Sequence, residues 1–214
     1  MDANLVNGLS GLLILTSLLV IEIKQPRWSA LLYSVQSLVL VGIFLALAYI
    51  TNDEQLYLWA ASAFLTKVVL VPWILYRALA KVGAADAPRA MGVTVSFLMA
   101  AVAVAVSFLV IDQITLKAAL PYKPALAISL AHFFFGELCI LTQRNLFKQV
   151  LGFCLMENGS HLTLALLAYN APELVEIGIA TDAVFGVVIM VALGNLIYKN
   201  LHTLDTAKLN TLKG

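Results

Sequence analysis

Six side chains that can carry or hand on a proton stand inside long apolar stretches: Lys67, Glu137, Glu157, Asp182, His132 and His161. An ionisable group at the centre of a membrane-spanning helix costs about 3 kcal/mol on insertion scales, so each needs a reason to be there. Glu157 is followed by Ser160 and His161 at i+3 and i+4, which places all three on one helix face. A carboxylate, a hydroxyl and an imidazole on one stripe can pass protons. The plainer reading is a carboxyl group that only hydrogen-bonds a neighbouring helix. Asp182 has Gly178 and Gly186 one turn to either side, a small-polar-small face suited to close helix contact. It is expected to face protein or internal water, with an interhelical packing bond as the simpler role. Lys67 precedes Pro72, whose ring removes the helical hydrogen bond to the carbonyl of Val68. A freed carbonyl beside a buried lysine suggests a polar break, or else Lys67 neutralises one carboxylate statically. Glu137 could pair with Lys67 or face a partner subunit. His132 and His161 are candidate proton carriers, with a satisfied structural histidine as the simpler role.

These residues need apolar helices to hold them. The chain has 214 residues, 62% hydrophobic and only 12% charged, with a net charge of +1 and a mean hydropathy of +0.95. A soluble domain is about half apolar and a quarter charged. A soluble enzyme, a secreted disulfide scaffold and a disordered chain are therefore excluded. The near-zero charge leaves no basic footprint for nucleic acid. Cys139 and Cys154 both lie in apolar runs and form neither a disulfide framework nor a metal cluster. Roughly 20 apolar residues cross a bilayer as a helix. Seven such stretches run at about 4–23, 30–50, 56–78, 91–111, 124–142, 147–169 and 173–198. The expected fold class is all-α: a polytopic integral membrane protein. The first stretch is read as a retained span, because Asp2 gives no positive leader and no small-residue cleavage site precedes Glu22.

Loop charge orients the chain. With the N-terminus outside (periplasmic), the inner loops and tail hold ten basic residues: Lys24, Arg27, Arg77, Lys81, Arg89, Arg144, Lys148, Lys199, Lys208 and Lys213. The outer loops hold two, Lys117 and Lys123. The C-terminus is therefore expected in the cytoplasm. At an offset of 120 residues, Leu31 to Tyr49 overlays Leu151 to Tyr169, a faint repeat of two parallel three-helix units. The expected divisions are 1–90 (spans 1–3), 91–123 (a linking span 4) and 124–214 (spans 5–7 with a short tail). Glu22 is placed to reach headgroups. Glu173 follows Pro172 in the first turn of span 7, where an acid suits the helix dipole. Glu176, one turn deeper, could open a path to Asp182. Trp28, Trp59, Trp73, Tyr49, Tyr57, Tyr76 and Tyr169 read as an aromatic belt. No phosphate-cradling loop, paired CxxC or nucleophile triad is evident. The chain has no catalytic site of its own in this reading.

Several stretches carry a family resemblance. They are Met156-Glu157-Asn158-Gly159-Ser160-His161, the run from Glu173 to Asp182, Leu204-Asp205-Thr206, Gln36-Ser37, and Thr66-Lys67 through Pro72. They resemble the membrane subunits known as component E of hydrogenase-4, over the whole chain. Spans 5–7 also resemble subunit K of respiratory complex I, where Glu157 matches the membrane glutamate of the second helix. At the position of that subunit's second glutamate this chain has Asp182, after a shorter loop. Spans 1–4 have no counterpart there, so Lys67 inherits no role.

The resemblance implies a bacterial inner-membrane arm of a formate hydrogenlyase. Its partners would be antiporter-like membrane subunits, a membrane anchor subunit, nickel–iron hydrogenase and iron–sulfur subunits, and a formate dehydrogenase. The nickel–iron centre and the iron–sulfur clusters would sit in those partners and not in this chain. Glu157, Asp182 and Lys67 would form a lateral relay across the membrane midplane. Span 6 would switch helical form near Gly152 or Gly159. Two alternatives stand beside this: a purely structural bridge between antiporter-like subunits and the hydrogenase, and a subunit of a multi-subunit cation/proton antiporter.

Overall fold

The computed structural model describes residues 3–82, 88–114, 117–168 and 173–209, with the side chains of 117–119, 173–180, 182 and 183 left out. Among the described residues the chain is helical throughout, with no strand beyond isolated bridges. Span 1 is α1 (Ala3–Glu22) and span 2 is α2 (Pro26–Thr51). Span 3 is broken into α3 (Glu54–Ala63), a π-helical turn (Phe64–Leu70) and α4 (Val71–Val82). Spans 4 to 7 are α5 (Val93–Asp112), α6 (Lys123–Thr142), α7 (Leu146–Leu167) and α8 (Glu173–Leu201). Among the described residues seven helices are long and apolar enough to cross a membrane, as the hydropathy pattern predicts. This is a multi-pass membrane protein.

Local chemistry sets the helix ends. Pro26 opens α2, where its fixed φ suits a first turn and its missing N–H costs nothing. Asn52 closes α2 in the left-handed region at φ 54°, its N–H bonding the carbonyl of Ala48. The Asp53 side chain then caps α3 by accepting from Gln55 N at 2.8 Å. Asn145 caps α7, accepting from Phe147 N at 3.0 Å and Lys148 N at 3.3 Å.

The centre of the bundle is the antiparallel pair α6–α7, onto which α1, α2 and α5 pack. Three glycines bring these two backbones together. A Cβ on Gly136 would lie 2.4 Å from Met156 N, and one on Gly159 would lie 2.5 Å from Phe133 N. A Cβ on Gly152 would lie 2.8 Å from the carbonyl of Gly136. The helical switch expected near Gly152 or Gly159 is therefore not where this fold is irregular. Both glycines sit in an unbroken α-helix clamped against its neighbour, and the non-α geometry lies in span 3.

One end of the bundle is knotted together. Glu22 bonds Arg89 and Ser96 here instead of reaching for headgroups. Leu146 N donates to Leu204 O at 3.1 Å and Thr206 N to Arg144 O at 2.9 Å, which clips the tail onto the α6–α7 turn. Lys148, counted among the loop cations, is instead buried. Its ammonium takes carbonyls at and just beyond the end of α1, at 2.7 Å from Val20 O, 2.9 Å from Ile21 O and 2.7 Å from Ile23 O, with Ser29 Oγ at 2.8 Å. Trp59 also leaves the expected belt. It is buried edge-on against Phe44, whereas Trp28, Trp73 and Tyr76 are exposed.

Candidate charge-transfer site

Lys67 sits in the π-turn, where Val71 N bonds the carbonyl of Thr66. Such turns are rare and occur mostly as single-turn irregularities at functional sites. Pro72 explains it. Without an N–H the proline cannot bond Val68 O, and the orphaned carbonyl is taken by Ser34 Oγ from α2 at 2.6 Å. The polar break expected beside Lys67 is present, as a rewound turn that pushes the lysine inward.

The Lys67 side chain is 1% exposed. An ammonium has three N–H donors and no acceptor. The site offers three acceptors, all on α7: Glu157 Oε1 at 3.0 Å, Asn158 Oδ1 at 2.8 Å and His161 Nδ1 at 2.5 Å. His161 Nδ1 also lies 3.7 Å from Glu157 Oε1. Because Lys67 only donates, His161 accepts at Nδ1 and carries its own hydrogen on Nε2. Breaking a buried ion pair by removing one partner costs about 3–5 kcal/mol, so Lys67 and Glu157 hold each other in place.

The same logic fixes a longer chain. Asn158 accepts from Lys67 at Oδ1, so its amide nitrogen donates, to Gln36 Oε1 at 2.8 Å. Gln36 Nε2 therefore donates to His132 Nε2 at 3.1 Å. His132 then donates from Nδ1 to Ser17 Oγ at 2.8 Å, and Ser17 donates to Leu13 O at 2.5 Å. Every bond runs the same way, from Lys67 across α7, α2 and α6 to α1. Chains of this kind polarise one another in a low-dielectric interior. Side-chain amides do not release protons, so Asn158 and Gln36 carry polarisation and not protons. His132 is thus coupled to Lys67 electrically, without a proton path between them along this chain. The Tyr33 hydroxyl is also fully buried, beside Ser37 and Asn158.

Two sequence expectations change. Ser160 Oγ donates to Met156 O in its own helix at 3.2 Å and takes no part in the cluster. Glu137 does not pair with Lys67, whose carboxylate partner is Glu157. It lines a groove between α5 and α6 instead. Asp182, Glu173 and Glu176 lie in α8, but their side chains fall outside the described residues, as does Tyr169. Three members of the chain were missed at the sequence level: Gln36, Asn158 and Ser17. The amides carried a signal, since an unpaired one in hydrocarbon costs several kcal/mol and demands a partner. Among the described residues no group of three His, Cys, Asp or Glu side chains is placed to hold a metal ion.

An intramembrane Lys–Glu pair on facing helices, in an all-helical bundle whose last three spans carry the acid, fits a membrane subunit of a complex-I-like assembly. Residues 124–214 match the family of NADH-ubiquinone/plastoquinone oxidoreductase chain 4L. The chain is 50% identical over 211 residues to hydrogenase-4 component E of Escherichia coli (strain K12), covering 98% of both chains. The likeness to hydrogenase-4 component E of Shigella flexneri has the same extent. An uncharacterized protein of Mycobacterium tuberculosis is 24% identical over 216 residues, 98% of this chain and 96% of that one. The chain belongs to the hydrogenase-4 component E family. No solved structure matches it.

Proposed function

We propose that this chain is a membrane-arm subunit of a formate hydrogenlyase in a bacterial inner membrane, without an active site of its own. In that role it moves charge sideways through the bilayer while partner subunits oxidise formate and reduce protons to hydrogen. Kinship with hydrogenase-4 component E and with complex I chain 4L supports the setting. One observation carries the mechanism: Lys67, Glu157 and His161 meet as a buried triad on two facing spans. When Glu157 takes up a proton, its attraction for the ammonium vanishes. Lys67 then leans on His161 and Asn158, and the oriented chain to His132 feels the change. Asp182, on the span that follows α7, is the next acid in the line. Loop charge supports an N-terminus outside and a C-terminus in the cytoplasm. The match over 124–214 supports reading that segment as the complex-I-like unit, with 1–90 and 91–123 as additions to it.

The test is Glu157→Gln in the whole complex, with formate-driven proton movement measured in sealed vesicles. A loss of more than tenfold in coupled proton movement, with assembly intact, is expected. Normal movement and normal hydrogen output would end the proposal. A structural bridge is the second reading, favoured by the fact that all three Lys67 hydrogens are already engaged. It expects Glu157→Gln to reduce the amount of complex but not the proton movement per complex.

A further inference from the structure

Glu137 is the described intramembrane acid that the cluster leaves out. It is half-buried on α6, and among the described residues it has no hydrogen-bond or ion-pair partner. It lines a cavity of about 370 Å³ that opens outward between α5 and α6. The rest of the lining is apolar, including Leu98, Met99, Val102, Phe134 and Leu141. Nothing on α5 can donate to a carboxyl group there. Nor is Glu137 placed to reach the nearer membrane surface. It lies five residues before Thr142, the last residue of α6, or about 7.5 Å inside that end. Helical side chains tilt toward the N-terminus, so this one leans away from the near end and into the membrane. Intramembrane acids almost always pair, and they seldom face lipid. No described residue of this chain supplies the donor, which points to one from outside it, at the same depth. Leu98 and Val102 on the groove's rim are 66% and 54% exposed, so the face is open to a neighbour.

We propose that the α5–α6 groove is the docking site for one transmembrane helix of a partner subunit, which places a lysine or arginine against Glu137. The helix lies in the groove by its apolar face, and the ion pair sets its register. This rests on the chain being part of a multi-subunit membrane complex. It does not depend on charge moving through Lys67.

The experiment uses the complete complex in native membranes, with a photo-crosslinking residue at Val102. Cross-linked peptides should map to one helix of one other membrane subunit, with a basic residue at the depth of Glu137. Glu137→Lys should lower that yield at least tenfold, and the reciprocal exchange of the partner's basic residue for Glu should restore it. Should Glu137→Lys fail to accumulate, the yield is read in Glu137→Gln, where at least a threefold fall is expected. Cross-links to lipid alone, to a second copy of this chain or to a helix without a basic residue would overturn the proposal. So would an unchanged yield in either variant. Hydrogen output and proton movement are not the readout, so a failed relay and a failed docking site remain distinguishable.

Discussion

The two sides of the Lys67–Glu157 pair are built differently. Glu157 stands on α7, which three glycines clamp backbone-to-backbone against α6, so its position is fixed within tight limits. Lys67 stands on a π-turn, between two α-helical pieces of one span and held by a borrowed hydroxyl. A π-turn can migrate or rewind by exchanging hydrogen bonds locally, whereas a clamped helix pair cannot slide without breaking its contacts. In this architecture the anion stands on the tightly packed side and the cation on the irregular one. Kinship with complex I had suggested the reverse, with the switch in span 6.

Substitutions can break that asymmetry from either side. The largest effect is expected for Lys67→Met, which leaves Glu157 without its countercharge and should destabilise the chain by about 3–5 kcal/mol. Adding Glu157→Leu should return most of that stability, read as the thermal midpoint in detergent, and none of the coupled proton movement. Gly136→Ala comes next. Its Cβ would press on backbone atoms of α7, so a loss of about 3 kcal/mol is expected. A variant as stable as the parent would show that the pair is not clamped. Pro72→Ala restores an N–H that can bond Val68 O. Amide exchange across residues 68–72 should slow and coupled proton movement should fall severalfold, with the thermal midpoint held or raised. If exchange slows while proton movement is untouched, the irregular turn has no part in that movement. The smallest effect is expected for Ser34→Ala, which strands the Val68 carbonyl and should cost about 1 kcal/mol.

The seven spans were legible because hydropathy over 20 residues is a strong signal, and the structure places the helices within a few residues of the predicted bounds. The acids and bases were legible because the bilayer makes each of them costly. Pairing was harder to read. Lys67 and Glu157 are 90 residues apart in sequence, and no spacing rule links them. Glu137 could pair with Lys67 or face a partner subunit on sequence grounds, and only the fold brings Glu157 of α7 against Lys67. The amides escaped notice because a formal charge draws attention and a dipole does not. The π-turn was half visible: Pro72 announced a lost bond, but only Ser34, 34 residues earlier than Val68, decides how the loss is repaired. Lys148 shows the limit of counting loop charges. Its side chain is inside the protein, and the topology rule counts it as though it were outside.

Lys148 also sets an order of events during synthesis. The ammonium that closes the carbonyl end of α1 belongs to a residue 125 to 128 positions later. Until α7 is made, the ammonium that takes those carbonyls in the finished fold does not exist. The first helix to enter the bilayer is thus among the last to be completed.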